Sequence, residues 1–231
     1  MTRRSTMDRL RRRLAAARQS DSGMSLVELI VAMGIFTVVV SIFMAGVVVM
    51  TKSTARAQSV SDSGDMVRKV FQKLDREVRY SKAVNRPGAG TTAGTWYVEY
   101  LVTPQPGAAP GCVQWRYTAS TRLLEYRWWT DVAPRTPSAW VMVAKNVRND
   151  LSVPASRPFQ FTAADGVHEK QQLRAVLDVG PGPAGVGAKK GAQLDSLFIA
   201  RNTSTTSQSN ADLDGNGQSD YPVCQTGVNR P

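Results

Sequence analysis

Three groups of residues in this chain are of a type and spacing that could do chemistry. The first is Gly23-Met24, with Glu28 a few positions on, at the head of a long apolar run. Glycine has no side chain, so catalytic groups can approach its backbone closely. A carboxylate inside a membrane helix costs on the order of 2.5–3.5 kcal/mol, so Glu28 calls for a positive partner. The second group is Asp212-Leu213-Asp214-Gly215-Asn216-Gly217-Gln218-Ser219-Asp220. Oxygen side chains stand at its first, third and fifth places (Asp212, Asp214, Asn216), glycine at the sixth, the Gln218 carbonyl at the seventh and Asp220 at the ninth. That spacing turns alternate donors toward one centre, as a calcium loop requires. The twelfth place holds Val223 instead of a bidentate glutamate, which predicts weak, millimolar affinity; a polar turn cluster is the other reading. The third group is the pair Cys112 and Cys224.

Catalysis has no comparable signal. His168 is the one histidine of the chain. Neither cysteine has a histidine or a second cysteine at catalytic or zinc-ligand spacing. No glycine loop ends in Lys-Ser or Lys-Thr. The sequence therefore predicts a protein that is not an enzyme and has no cofactor, calcium being the one ion it allows.

The elements that must position these residues are uneven along the chain. From Leu29 to Met50, 22 residues carry no charge. As a helix they span roughly 33 Å, enough to cross about 30 Å of hydrocarbon once. Before them, residues 1–23 hold seven arginines against Asp8 and Asp21, a surplus of five out of the chain's net +11. Basic flanks stay in the cytoplasm, so residues after 50 are expected outside. There disulfides persist, and two cysteines allow one intrachain pairing, Cys112–Cys224; two unpaired thiols are the alternative.

All twelve prolines lie at Pro87 or later, so a helix is predicted from Ser25 to about Val84. Past the apolar run, Val60, Val67, Val70, Phe71, Leu74 and Val78 form one stripe. A kink is plausible where Gly64 follows Ser59–Ser63. Strands are predicted at Thr95–Thr103, Cys112–Thr118, Leu123–Thr130, Trp140–Lys145, Phe159–Thr162, Leu173–Val179 and Leu197–Arg201, with a hairpin around Ala119–Arg122. Gly180–Gly191 reads as a mobile loop and Asn202–Gln218 as a polar tail. The fold class is α+β: a long N-terminal helix, transmembrane in its first half and amphipathic in its second, packed on an antiparallel sheet. The expected divisions are 1–23, leader; 24–50, membrane helix; 51–86, its amphipathic continuation; and 87–231, a β-rich head with a polar tail.

Gly23-Met24-Ser25-Leu26-Val27-Glu28-Leu29-Ile30, followed by the unbroken apolar helix, resembles the cleavage and methylation motif of type IV prepilins and type II secretion pseudopilins. The resemblance implies that residues 1–23 are a leader removed by prepilin peptidase. It implies that Met24 becomes an N-methylated amino terminus. It also implies that Glu28 pairs with the Met24 amine of a neighbouring subunit, neutralising two buried charges and setting the register between subunits. Implied partners are other pilin-like subunits, the prepilin peptidase and the assembly machinery of the cytoplasmic membrane. The implied location is that membrane, crossed once with the head outside, and then a cell-surface filament.

Further resemblance lies in Phe71-Gln72-Lys73-Leu74-Asp75-Arg76-Glu77-Val78-Arg79, the Trp-rich hairpin and Val143-Ala144-Lys145-Asn146-Val147, which look like J-type minor pilins. The expected function is a minor pilin-like subunit that initiates or caps a filament. Alternatives are a secretion or DNA-uptake pseudopilin and a membrane-tethered binding module that never polymerises. The segment from Asp212 to Asp220 resembles thrombospondin-like and dockerin-like calcium repeats. Trp115, Tyr117, Tyr126, Trp128 and Trp129, with Arg116, Arg122 and Arg127, could face DNA or glycans. Alternation instead puts Trp115, Tyr117, Tyr126 and Trp128 against the helix stripe, leaving Trp129 and the arginines for contact. A nucleic-acid partner is thus allowed by composition but supported by no motif.

Overall fold

The computed structural model describes residues 23–103, 107–182, 191–225 and 228–231. The leader expected over 1–23 therefore lies outside the described residues except for Gly23, and so does most of the Gly-rich segment, residues 183–190. The chain divides after Ser53 into two compact units, taken here in turn.

Helix α1, Leu26–Arg79, belongs to the first unit up to Ser53. Ser25 starts it. Its Oγ accepts the Glu28 N–H at 3.2 Å and its carbonyl accepts the Leu29 N–H at 3.1 Å. This is the first half of a capping box, Ser-x-x-Glu. The two hydroxyls within the apolar run do not interrupt it: Thr37 donates to the Met33 carbonyl and Ser41 to the Thr37 carbonyl, each at 2.8 Å. From Gly23 to Met50 every residue except Val40 is exposed. By length and composition this is a segment that can cross a membrane, and no other helix among the described residues passes that test.

The second unit begins within α1 and runs to Pro231. The helix is continuous through Gly64. Ser63 is buried there, with its hydroxyl bonded back to the Ser59 carbonyl at 2.7 Å. The buried stripe is Ser63, Val70, Leu74 and Val78, with Met66 and Val67 packed beside it. Val60 and Phe71 of the expected stripe are both partly exposed, at 40 %. The helix ends at Arg79, short of the expected Val84, because the chain is recruited into a sheet. The Lys82 N–H donates to the Leu101 carbonyl and the Asn85 N–H to the Glu99 carbonyl. Strand β1 (Ala83–Val84) thus pairs with β3 (Thr95–Val102), and so does β2 (Gly88–Ala89).

The larger sheet runs β1-β3-β4-β5-β6, with β2 also on β3; β4 is Gly111–Thr118, β5 Leu123–Thr130 and β6 Val141–Ala144. All these pairings are antiparallel. A second antiparallel sheet contains β7 (Phe159–Thr162), β8 (Gln172–Val179) and β9 (Ala192–Ile199). Strand β9 starts earlier than the expected Leu197, directly after Gly191. A Cβ on Gly191 would sit 2.0 Å from the Val179 carbonyl oxygen, so the start of the strand needs glycine there. One apolar core joins the α1 stripe to the inner faces of both sheets, through Tyr100, Trp115, Tyr117, Phe159, Leu177 and Phe198 among others.

The hairpin β4–β5 has the expected alternation with two differences in burial. Trp115 and Tyr117 are buried against the helix side and Tyr126 packs beside them, but Trp128 at the end of that face is 56 % exposed. Trp129, expected to point outward for contact, is buried with Cys112, Cys224 and Val228. The outer face of the larger sheet is not bare, because the last residues of the described chain cover it. The supposed polar tail is likewise knit into the head. Thr203 and Ser209 are buried, and the Gln171 side chain reaches Ser209, Asn210 and the Val84 N–H.

Candidate functional site

Gly23, Met24, Ser25 and Glu28 occupy the entry to α1. Gly23 is exposed, and a Cβ built on it meets nothing within 4 Å. The fold itself therefore does not need glycine at 23. Any requirement for it comes from a visitor to the backbone. Met24 is exposed as well.

Glu28 lies in the first turn of α1. Among the described residues its side chain makes no salt bridge. Its backbone N–H is capped by Ser25. A carboxylate there meets the positive end of the helix dipole, worth typically 0.3–1 kcal/mol. The local signal for this cap is the spacing Ser25-x-x-Glu28. The entry therefore combines an accessible backbone, a capped helix start and an unpaired carboxylate ahead of an uncharged run.

In the head, Cys112 and Cys224 form a disulfide. It ties β4 to Cys224 near the C-terminal end, beside the buried Trp129. The same end of the chain carries a polar anchor that sequence reasoning missed. Arg230 donates to both carboxylate oxygens of the buried Glu99, Nε to Oε1 at 2.9 Å and Nη2 to Oε2 at 2.7 Å. Asn85, Gln114 and Gln225 donate to the same carboxylate. Burial pushes the Glu99 carboxyl upward, but the Arg230 charge and these donors outweigh it and hold the group below its ordinary range. On the inner face, Glu77 of α1 accepts from the Tyr100 hydroxyl at 2.6 Å and from Lys73 at 2.6 Å, while the Trp115 indole N–H donates to that hydroxyl. Burial, and then the Glu77 charge, hold the Tyr100 phenol well above its usual value.

The residues considered for calcium lie on one turn, with Gly215 and Gly217 at φ of 70° and 78°, where glycine is favoured. Their side chains face backbone donors. Asp212 accepts from Gly217, Asp214 from Asn216, Asn216 from Gln218, and Asp220 from Leu213. Among the described residues no three His, Cys, Asp or Glu side chains gather into a metal-holding group. The arginines considered for DNA have internal partners. Arg116 pairs with Glu125 and stacks on Trp140, Arg127 bonds Gln114 and the Asn229 carbonyl, and Arg122 donates to the carbonyls of Asn146, Val147 and Gly180. His168 sits in a turn beside Asp165.

No curated protein matches the chain. Residues 18–47 match the family model described as the prokaryotic N-terminal methylation motif. That span takes in Gly23, Met24, Ser25, Glu28 and most of the uncharged run, so the chain carries the processing and methylation motif that is the hallmark of type IV prepilins and pseudopilins.

Proposed function

We propose that the chain is a minor pilin-like subunit, cleaved after Gly23, N-methylated on Met24 and assembled through residues 24–50 into a type IV pilus or a related pseudopilus. One observation carries the reading: a capped helix whose run of exposed apolar residues is uncharged after Glu28, within the matched methylation motif. The apolar surface fits lipid before assembly and neighbouring helices after it. Glu28, with no ion pair among the described residues, fits the Met24 amine of the next subunit. The subunit would be held in the cytoplasmic membrane with the head outside and would pass from there to the cell surface. Two sheets and a disulfide-tied terminal segment make the head elaborate, which supports a minor, initiating or capping role over that of the main repeating subunit.

Cleavage is tested by Gly23→Val. Because the fold leaves room at 23, the variant should insert and fold normally yet keep residues 1–23, seen as a heavier intact mass. Recovery of Met24 as the N-terminus from that variant would sink the processing assignment. Calcium at Asp212, Asp214, Asn216, Gln218 and Asp220 is a separate question with its own titration: a melting temperature that rises at millimolar calcium supports binding there, and an unchanged one removes it.

A further inference from the structure

A cleft of about 520 Å³ opens on the head between β2, β7 and the turn at Asn216–Gln218, within the size range of small-ligand sites. Its charged lining residues among those described are Arg86 and Arg157; no carboxylate lines it. Both guanidiniums are stacked on rings, Arg157 at 4.7 Å from the centre of Trp96 and Arg86 at 5.5 Å from that of Phe161. A guanidinium held over a ring can still present terminal N–H donors, which suit a carboxylate or phosphate.

The two guanidiniums differ in how far their donors are used. Arg157 donates through Nε to the Leu151 carbonyl, and its two terminal nitrogens have no hydrogen-bond partner among the described residues. Arg86, by contrast, is engaged: its Nη2 donates to the Asn210 carbonyl at 3.0 Å, its Nη1 pairs with Asp212 at 3.9 Å, and its Nε is buried. Arg230, behind the lining residue Gly88, has its charge met by Glu99, so the free terminal nitrogens of Arg157 are the donors that an anion in the cleft would meet.

The body of the anion follows from the other lining residues. Trp96 and Phe161 carry guanidiniums and pack against the apolar core. They therefore offer no free platform for a nucleobase, which single-stranded nucleic acid needs. The exposed Gln218 side-chain amide has no hydrogen-bond partner among the described residues, and an amide both donates to and accepts from a hydroxyl. We propose that this cleft binds an acidic saccharide, with a uronate carboxylate on Arg157 and ring hydroxyls on Gln218. The inference stands on the head alone and is independent of filament assembly.

The test is calorimetry on the full chain in detergent micelles with three probes: trigalacturonate, its methyl ester and an oligothymidylate. Trigalacturonate should bind, and the uncharged ester at least about tenfold more weakly, as expected for loss of a charge-assisted pair. Arg157→Gln should weaken trigalacturonate by a similar factor. Ala155→Glu removes only a methyl group from the rim and adds a repelling carboxylate, so it should do the same while leaving the melting temperature unchanged. Absence of heat with trigalacturonate overturns the proposal. So does equal binding of acid and ester, unaltered affinity in Ala155→Glu, or tighter binding of the oligothymidylate.

Discussion

Residues 26–53 and residues 54–231 use their side chains in opposite ways. In the first unit nearly every apolar residue is exposed, and the hydroxyls of Thr37 and Ser41 are satisfied by their own helix. In the second unit the buried apolar residues gather into two clusters, and even buried charges find partners inside the chain, as Glu99 does with Arg230. A segment whose side chains find so few partners within its own chain is written for an environment outside it. A segment that satisfies itself is written to stand in water. The difference makes the two regions separable by mutation: changes in the first should alter processing and assembly at constant head stability, and changes in the second should do the reverse.

The largest expected effect breaks the comparison in the first unit. Glu28→Gln should abolish filaments or pseudopili while leaving cleavage and the melting temperature of the head unchanged. Glutamine keeps the Ser-x-x-Gln form of a capping box, so the substitution removes charge and little else. Normal filaments from Glu28→Gln would show that the carboxylate serves the cap and not a neighbouring subunit. Ser25→Ala is the complement. It removes the cap at a cost of about 0.5–2 kcal/mol of helix stability but leaves the charge, so assembly should persist.

Next come the anchors of the head. Glu99→Gln leaves the Arg230 guanidinium buried beside a neutral amide, which should cost about 3–5 kcal/mol and lower the melting temperature of the full chain by many degrees. Replacing both Cys112 and Cys224 with serine should cost about 2–5 kcal/mol. If the two changes together cost no more than either alone, the terminal segment is held as one cooperative strap. The pH dependence follows from Glu99. Its carboxyl is held below the ordinary range in the folded state, so the unfolded chain takes up protons first as pH falls. The stabilisation is fully present above the unfolded value and drains away as pH drops through the lower folded one. Thermal stability should therefore decline below about pH 4, and Glu99→Gln should flatten that decline.

What could be read beforehand follows the same division. The processing motif is local: Gly23, Met24, Glu28 and the uncharged run are contiguous, and each residue's meaning comes from its neighbours. The α+β class and most strands were legible for the same reason, through alternation such as Val113, Trp115 and Tyr117. The head's anchors were not. Glu99 and Arg230 are 131 positions apart, and nothing near either predicts the other. Alternation placed Trp128 and Trp129 on opposite faces but could not tell that the terminal segment covers the outer one. Nothing local marks the end of α1, because residues 80–85 contain no helix breaker; what stops the helix is the distant edge of β3, which supplies partners for Lys82 and Asn85.

The smallest effect concerns Gly64, on the helical part of the second unit. Glycine inside a helix is less favourable than alanine by about 0.8–1 kcal/mol, and a Cβ at this position meets nothing within 4 Å. Gly64→Ala should therefore raise the stability of the full chain by up to about 1 kcal/mol, a shift of a few degrees in a thermal melt. The sign is informative, because the residue lies in α1 beside the buried Ser63 and near the start of the packed stripe. A stabilised variant that still assembles would mean that the glycine answers to no packing demand within or between chains. Loss of filaments from a more stable subunit would place a neighbouring helix against this turn, and the outward-facing character of residues 26–53 would then extend about three turns into the unit that otherwise satisfies itself.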